Sequence, residues 1–526
     1  MYIAPAAPLQ GQSRRARIAQ PAFAGPVLPV VGIAYLLVAA LFTVGAFLAP
    51  IQIDRSMIRL AIVGIFALPV LHLVIRVWVV RRLEPFALDM VFLYGFLAFN
   101  MGIWSQVFFG TIPFAAVMQI PAAKYSTQGL FLCGAAGWGF LGGYLLRSYG
   151  QPQPTGAGVF RFGRAAMLLG RIGFAIFLGG VAMRLAHIVL IEGFGAFFSR
   201  RYVTLTGTSI YYGMAEYLNQ IGVATMAVGY ALGKGRLAPK VFWPIFVAYA
   251  LLLLVDGERG TVFQILLYLA AARHLLIKRI KWRYIIVAVV ALAFLFVAVR
   301  VARSAKQRSV GGVFRALAGQ SEELPVGSIL RETGGSFNNL TRTLSLVPVR
   351  DPHTYGKTFL VGVPTIVPFM SGILFRLTGG LGGASAYITP AHWMTYRWSG
   401  IKATAGLGFN SVAEGYLNFG ILGVAPFFMV VGFLLSAFEK KALGGQSLTY
   451  AVLLVSLTGL TFQWSRSSLE SWFRPLVWSA ILVWICYSIA QSRQRREDAA
   501  VAGMRSFRLA AGPSPQTPDL ARRQST

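Results

Sequence analysis

The chain has 526 residues, 56% of them hydrophobic and 12% charged. Soluble domains run near a quarter charged, so an ordinary soluble enzyme is excluded. Against 17 Asp and Glu stand 48 Lys and Arg, a formal net charge of +31. Yet aromatic residues reach 13%, which excludes a disordered basic nucleic-acid binder, and no nucleic acid is expected as a partner. What remains is an all-α polytopic membrane protein, and the informative quantity is where its positive charge lies.

Residues 1–25 form an N-terminal segment bearing Arg14, Arg15 and Arg17. Apolar runs long enough for a hydrocarbon core of ~30 Å then recur. They are Pro26–Pro50, Met57–Val80, Phe86–Phe108, Gln128–Leu146, Ala166–Ile191, Tyr212–Leu232, Val241–Val255, Thr261–Ile277 and Tyr284–Val301, nine spans within residues 26–301. Residues 302–412 form one large connection, in which Phe359–Leu377 is apolar but interrupted by Pro364 and Pro368. That stretch reads as a re-entrant or interfacial helix, followed by a flexible Gly379–Gly383 hinge. Ala413–Ala437, Leu448–Trp464 and Trp472–Ala490 complete twelve spans within 413–490, and residues 491–526 read as a disordered tail. Cys133 and Cys486 lie in apolar runs and indicate no disulfide framework.

Loop charges orient the spans. Alternate loops carry Arg81 and Arg82; Arg147, Arg161 and Arg164; Lys234, Arg236 and Lys240; Lys278, Arg279, Lys281 and Arg283; Lys440 and Lys441; and Arg493, Arg495 and Arg496. The intervening short loops hold one or two basic residues, such as Arg55 and Lys124. Both termini are therefore expected in the cytoplasm and the 302–412 loop outside, as in a bacterial inner-membrane protein.

No metal or cofactor site is evident: His72, His187, His274, His353 and His392 are scattered, and there is no P-loop or dinucleotide fingerprint. Gly139 and Gly143 form a G-x-x-x-G whose ordinary meaning is close helix packing. His72 and His187 read as packing residues within spans, whereas His353 and His392 fall in the outer loop. Three groups at outer helix ends are richer. Asp256-Gly257-Glu258-Arg259-Gly260 is a hairpin that serves either as a polar turn or as an acid–Arg cluster at a cavity mouth. Arg184, costly in lipid, falls near the same level. Ser465-Arg466-Ser467 and Glu470 to Arg474 form a second turn, explicable as interfacial anchoring by Trp and Arg. Arg397 and Lys402 precede Gly406–Gly420, where Glu414, Tyr416 and Asn418 are too polar for a lipid-facing span. A carboxylate in a first helical turn is also favoured by the helix dipole, so Glu414 has a structural explanation too.

At these residues the sequence resembles the oligosaccharide repeat-unit polymerases of the Wzy-type O-antigen polymerase family. The Gly257–Thr261 turn (G-E-R-G-T) looks like the family's G-x-R-G turn. Tyr355-Gly356-Lys357-Thr358 with Val363-Pro364 is similar to its Y-G-K…P stretch, and Glu414–Gly423 matches E-x-Y-x-N-F-G-x-x-G. Ser465-Arg466-Ser467 falls where the family places an Arg-bearing turn. One departure is that Val367-Pro368-Phe369 lacks the arginine that often follows the loop proline, leaving Arg376 as the nearest substitute.

The resemblance implies a GT-C-like glycosyltransferase that polymerises polyprenyl-diphosphate-linked repeat units into a surface polysaccharide, with no metal cofactor. Its partners would be the lipid-linked glycan donor and acceptor, the bilayer and a chain-length regulator protein. It also implies a base, Glu414 first and His392 second, with Arg259 at the reacting centre. Arg466, Arg397, Arg376, Tyr416 and Arg474 would hold the substrate. Two other classes share the layout. A flippase predicts internal repeats and mid-span charges, which are not seen; an O-antigen ligase-like enzyme would use the same arginines on a different acceptor.

Overall fold

In a computed structural model the chain is described over residues 24–510, except 50, 81–82, 149–162, 194–209, 257, 293–329, 331–332, 368–369, 371–388, 401–406 and 445–446. Among the described residues it is all-helical, without strands. The helices are α1 (Ala24–Leu48), α2 (Arg55–Trp78), α3 (Leu88–Asn100), α4 (Gly102–Phe108), α5 (Ser126–Arg147), α6 (Gly163–Ala186), α7 (Ile210–Lys234), α8 (Phe242–Asp256) and α9 (Arg259–Ala272). They continue with α10 (Trp282–Leu292), α11 (Phe337–Leu346), α12 (Lys357–Leu360), α13 (Gly362–Ile366), α14 (Pro390–Ser399), α15 (Ser411–Leu443), α16 (Leu448–Trp464) and α17 (Phe473–Ala510).

Each of the twelve predicted segments is helical where described, but seven helices are long and apolar enough to cross a membrane, or eight counting one bent pair. The bent pair is the predicted third span: α3 and α4 meet at 72°. The bend has a packing cause. A Cβ on Gly334 would lie 2.5 Å from the Ile103 amide nitrogen, so the outer segment's backbone is pressed into the corner between α3 and α4. Phe337, Leu340 and Leu344 of α11 follow it into the main core, so part of the expected outer loop is buried among the spans. The described part of the predicted interfacial stretch is the short pair α12 and α13, while the rest of it and the Gly379–Gly383 hinge lie outside the described residues. α17 remains helical to Ala510, well into the segment expected to be a disordered tail.

Two hydrophobic clusters organise the bundle. One joins α1–α5, α11, α14 and α15; the other joins α6–α9 with Val483 and Cys486 of α17. α16 serves both: Leu454, Leu457, Leu460 and Trp464 face the first, while Leu448, Ala451, Val452 and Val455 face the second. Such i, i+3, i+4 spacing on two sides makes a helix apolar all round, as an interior helix must be. α5 is likewise almost wholly enclosed, between α1 and α15. Its G-x-x-x-G lies on α15: a Cβ at Gly139 would sit 2.8 Å from the Ala425 carbonyl oxygen, and one at Gly143 would collide with that of Met429. Leu37 and Leu41 of α1, at 63% and 70% exposure, show the complementary lipid-facing surface.

One end of the bundle is closed by polar ties. His72 Nε2 lies 2.7 Å from Asp89 Oδ2, Arg76 Nε donates to the same oxygen at 2.9 Å, and Tyr144 Oη donates to Glu439. His274 Nδ1 accepts the Ile280 N–H at 3.1 Å, so its Nε2–H donates to Glu84 at 2.7 Å. Arg279 pairs with the other Glu84 oxygen at 3.1 Å. The candidate site lies at the opposite end.

Candidate functional site

The site grows from a break in α15. Asn410 caps its first turn, its Oδ1 accepting from the amides of Val412 (2.9 Å) and Ala413 (3.2 Å). The helix then stops being regular at Gly420, where φ is 66°. This left-handed conformation favours glycine. The break frees three successive carbonyls, and three successive outer-segment residues occupy them. His353 Nδ1 donates to Tyr416 O (3.1 Å), the Thr354 amide to Leu417 O (2.9 Å) and the Tyr355 amide to Asn418 O (3.1 Å).

Side chains complete the joint. Asn418 Oδ1 accepts from Thr354 Oγ1 (2.6 Å) and the Gly356 amide (2.9 Å), while its Nδ2 donates to Thr358 Oγ1 (2.7 Å) and Glu414 O (2.9 Å). Thr358 Oγ1 passes a hydrogen bond to Glu414 Oε1 at 3.2 Å, and the Leu469 amide donates to Glu414 Oε2 at 2.8 Å. Glu414 is fully buried with both oxygens engaged. It therefore ties the outer segment to the turn between α16 and α17. Tyr416 Oη donates to Val347 O at 2.9 Å. The Tyr355–Thr358 and Glu414–Gly423 motifs, far apart in sequence, thus dock on each other.

The α16–α17 turn carries Arg466, and Arg474 stands in the first turn of α17. Arg466 is exposed, its guanidinium carbon 5.6 Å from the Phe99 ring centre. Arg474 Nε donates to Thr365 O, Trp478 Nε1 donates to Ile366 O (2.7 Å), and the Arg474 guanidinium covers the Tyr217 ring at 4.4 Å. Glu470, buried, lies within electrostatic reach of both Glu414 and Tyr217. On the far side of α7, Arg184 pairs with Asp256 and, at 3.5 Å, with Glu258, and stacks 3.9 Å from the Tyr212 ring centre. These groups line a recess with Glu216, Tyr249 and Thr261. Glu216 lies within electrostatic reach of both Arg184 and Arg466, so α7 links the two halves.

The expected residues are therefore gathered unequally. Glu414, Arg466 and Arg474 stand at the α16–α17 turn, whereas Tyr416 reaches Val347 at the end of α11. Arg259 opens α9, next in sequence to Glu258, which lines the recess. Arg397 is held elsewhere, by Asp351 at 2.5 Å in the layer of α11 and α14. His392 is exposed on the first turn of α14, and Arg376 lies outside the described residues. The sequence reading passed over Glu216, Asn219 and Gln220. Its signal was available: polar residues at i, i+3 and i+4 within an apolar span share one helix face and mark a polar interior. Gln220 Nε2 donates to Gln264 Oε1 (3.1 Å), Gln264 Nε2 to Tyr268 Oη (2.6 Å) and Asn219 Nδ2 to Tyr249 Oη (2.5 Å), carrying that interior inward.

Among known proteins, no curated protein and no solved structure matches this chain. A family model described as O-antigen polysaccharide polymerase Wzy matches residues 33–495. That match covers most of the sequence and contains every docked motif above, so the chain belongs to the Wzy O-antigen polymerase family, multi-pass inner-membrane glycosyltransferases that join lipid-linked oligosaccharide repeat units into polysaccharide.

Proposed function

We propose that this polymerase joins its repeat units on the periplasmic face, drawing them from a polyprenyl-diphosphate carrier without a metal ion. The observation that carries the reading is the convergence at one bundle end of Arg466 and Arg474 with the docked outer segment and the acid-lined recess. An acceptor hydroxyl attacks the anomeric carbon, and the bond from that carbon to the diphosphate breaks with its electron pair on the leaving group. Arginines held beside that group stabilise the charge through bidentate hydrogen bonds, supplying the positive charge that a metal would otherwise bring. Arg466 and Arg474 take this role, Arg259 at the start of α9 stands at the reacting centre, and Arg397 and Arg376 contact the glycan. Glu414 and Tyr416 hold the framework; because both Glu414 oxygens are engaged, its contribution runs through the turn that bears the arginines.

Orientation follows from charge. Lys234, Lys240, Lys278, Arg279, Lys440 and Lys441 sit at the end away from the site, and the positive-inside rule puts that end, with both termini, in the cytoplasm. The twelve helical segments then form a GT-C-like set of twelve spans in which the shorter helices tilt or rest in the interior. A chain-length regulator completes the machinery. The test is to supply purified protein with polyprenyl-diphosphate-linked repeat units and resolve the products on a gel. Wild type yields a ladder that persists in excess EDTA, and Arg466→Ala and Arg474→Ala abolish it. A ladder lost on chelation and restored by a divalent cation would overturn the metal-free part, and full activity in both variants would overturn the arginine roles.

A further inference from the structure

The recess between α6, α7, α8 and α9 has a chemistry unlike that of the α16–α17 turn. Its guanidinium, on Arg184, is already paired with Asp256 and Glu258, and Glu216 adds a third carboxylate. A diphosphate brought there would meet more negative than positive charge, and like charges at close quarters repel. The recess is small, so what enters it is a single hydroxyl of an uncharged, hydroxyl-rich group: Tyr212 and Tyr249 offer ring faces, and Glu216, Glu258 and Thr261 offer hydrogen-bonding oxygens.

A second observation points to a ligand. Arg184 is 3% exposed, yet its Nε has no hydrogen-bond partner among the described residues. Behind the lining, Asn219 Oδ1 and Gln220 Oε1 are buried and likewise unpartnered. Buried polar atoms are nearly always satisfied, so the unpartnered Arg184 Nε in the recess lining marks a place that a polar group enters.

Within it, Glu216 differs from its neighbours. Asp256 and Glu258 are bound to Arg184, whereas the hydrogen bond Glu216 receives from Gln220 Nε2 is long, at 3.4 Å. Glu216 is also the chain neighbour of Tyr217, whose ring the Arg474 guanidinium covers at 4.4 Å, so α7 stands between the recess and the donor side. A proton acceptor for the attacking hydroxyl must stand between acceptor and donor in this way.

We propose that this recess receives the attacking hydroxyl of the acceptor sugar and that Glu216 is the general base. As the acceptor oxygen bonds to the anomeric carbon, its proton passes to the Glu216 carboxylate; the bond from that carbon to the diphosphate breaks, and its electron pair leaves on the diphosphate. The assignment rests on the donor placement at Arg466 and Arg474 proposed above.

The experiment uses the full chain in nanodiscs with lipid-linked repeat units, and polyprenyl diphosphate alone as the binding probe. Glu216→Gln, near-isosteric, is expected to slow chain growth about a hundredfold or more while binding polyprenyl diphosphate as wild type does. Glu216→Asp should retain part of the rate, and Glu216→Ala should recover rate when formate is added. Wild-type turnover in Glu216→Gln overturns the proposal. So does loss of polyprenyl-diphosphate binding in Glu216→Gln, or a Glu216→Ala rate that formate does not raise. Failure of the donor placement has a different signature: Arg466→Ala and Arg474→Ala would bind polyprenyl diphosphate normally, whatever Glu216→Gln does.

Discussion

Asn418 has four polar partners, Thr354, Gly356, Thr358 and Glu414, and through them it holds the outer segment on α15. Removing its amide strands the Gly356 N–H and leaves the Thr354 hydroxyl only its long bond to Leu417 O (3.4 Å) in a partly buried joint, and a buried unsatisfied group costs about 1–3 kcal/mol. Asn418→Ala is therefore expected to lower the thermal midpoint in detergent and to admit protease between 353 and 358. Wild-type protease resistance there would refute the joint. The sequence marked Glu414, Tyr416 and Asn418 as too polar for lipid, and each is indeed tied to another segment. It did not reveal the partners: those are set by tertiary docking of a segment some sixty residues earlier, and a single sequence carries no record of that pairing. Glu216 was missed for a different reason. It stands in a run apolar enough to read as an ordinary span, and its helical spacing from Asn219 and Gln220 becomes informative only when polar positions, rather than apolar ones, are followed round the helix.

α15 shows how an element combines a span with a docking platform. Beyond Gly420 the stretch Ile421–Leu443 rises about 34 Å at helical pitch, enough to cross the membrane alone. The Ser411–Phe419 turns are thereby released to lie at the membrane edge, and their freed carbonyls accept from His353, Thr354 and Tyr355. Alanine at φ 66° is strained by about 1–2 kcal/mol, so Gly420→Ala favours a continuous helix that reclaims those carbonyls. The expected outcome is reduced polymer yield with normal membrane insertion and faster hydrogen exchange at the amides of 354 and 355. Unchanged exchange at those two amides would show that the break does not hold the segment. Helix positions were legible because long apolar runs have few alternatives in lipid. The 72° bend between α3 and α4 was not, since it depends on Gly334 approaching Ile103 from another part of the chain. The burial of α11 escaped for the same reason: its alternation of Thr, Asn and Leu resembles that of a surface helix until its neighbours are known.

Across the whole molecule, the two ends of the bundle are built for different work. At the end away from the site, Asp89 binds both His72 and Arg76, and all three are buried. Breaking such a pair leaves a buried charge uncompensated, at about 3–5 kcal/mol, whereas replacing both partners by apolar groups is often neutral. Asp89→Leu alone should therefore deplete folded protein, and Arg76→Met with Asp89→Leu should restore it, with chain growth per folded molecule unchanged because these residues lie opposite the site. If the double variant folded but built no polymer, that end would have to be counted as part of the active machinery. The same polarity underlies the proposed orientation in the membrane. The basic loops cluster at the latched end, and the proposed chemistry needs the arginine-bearing turn at the other. The two native cysteines are free but buried, so introduced thiols can report sidedness without interference. Val349, at 74% exposure, lies with the outer segment, and Lys441 is exposed at the opposite end of α15. A membrane-impermeant maleimide added to intact spheroplasts should label Val349→Cys at once and Lys441→Cys only after permeabilisation. The reverse pattern would place Arg466 and Arg474 in the cytoplasm, and the periplasmic assignment of polymerisation would fall with it.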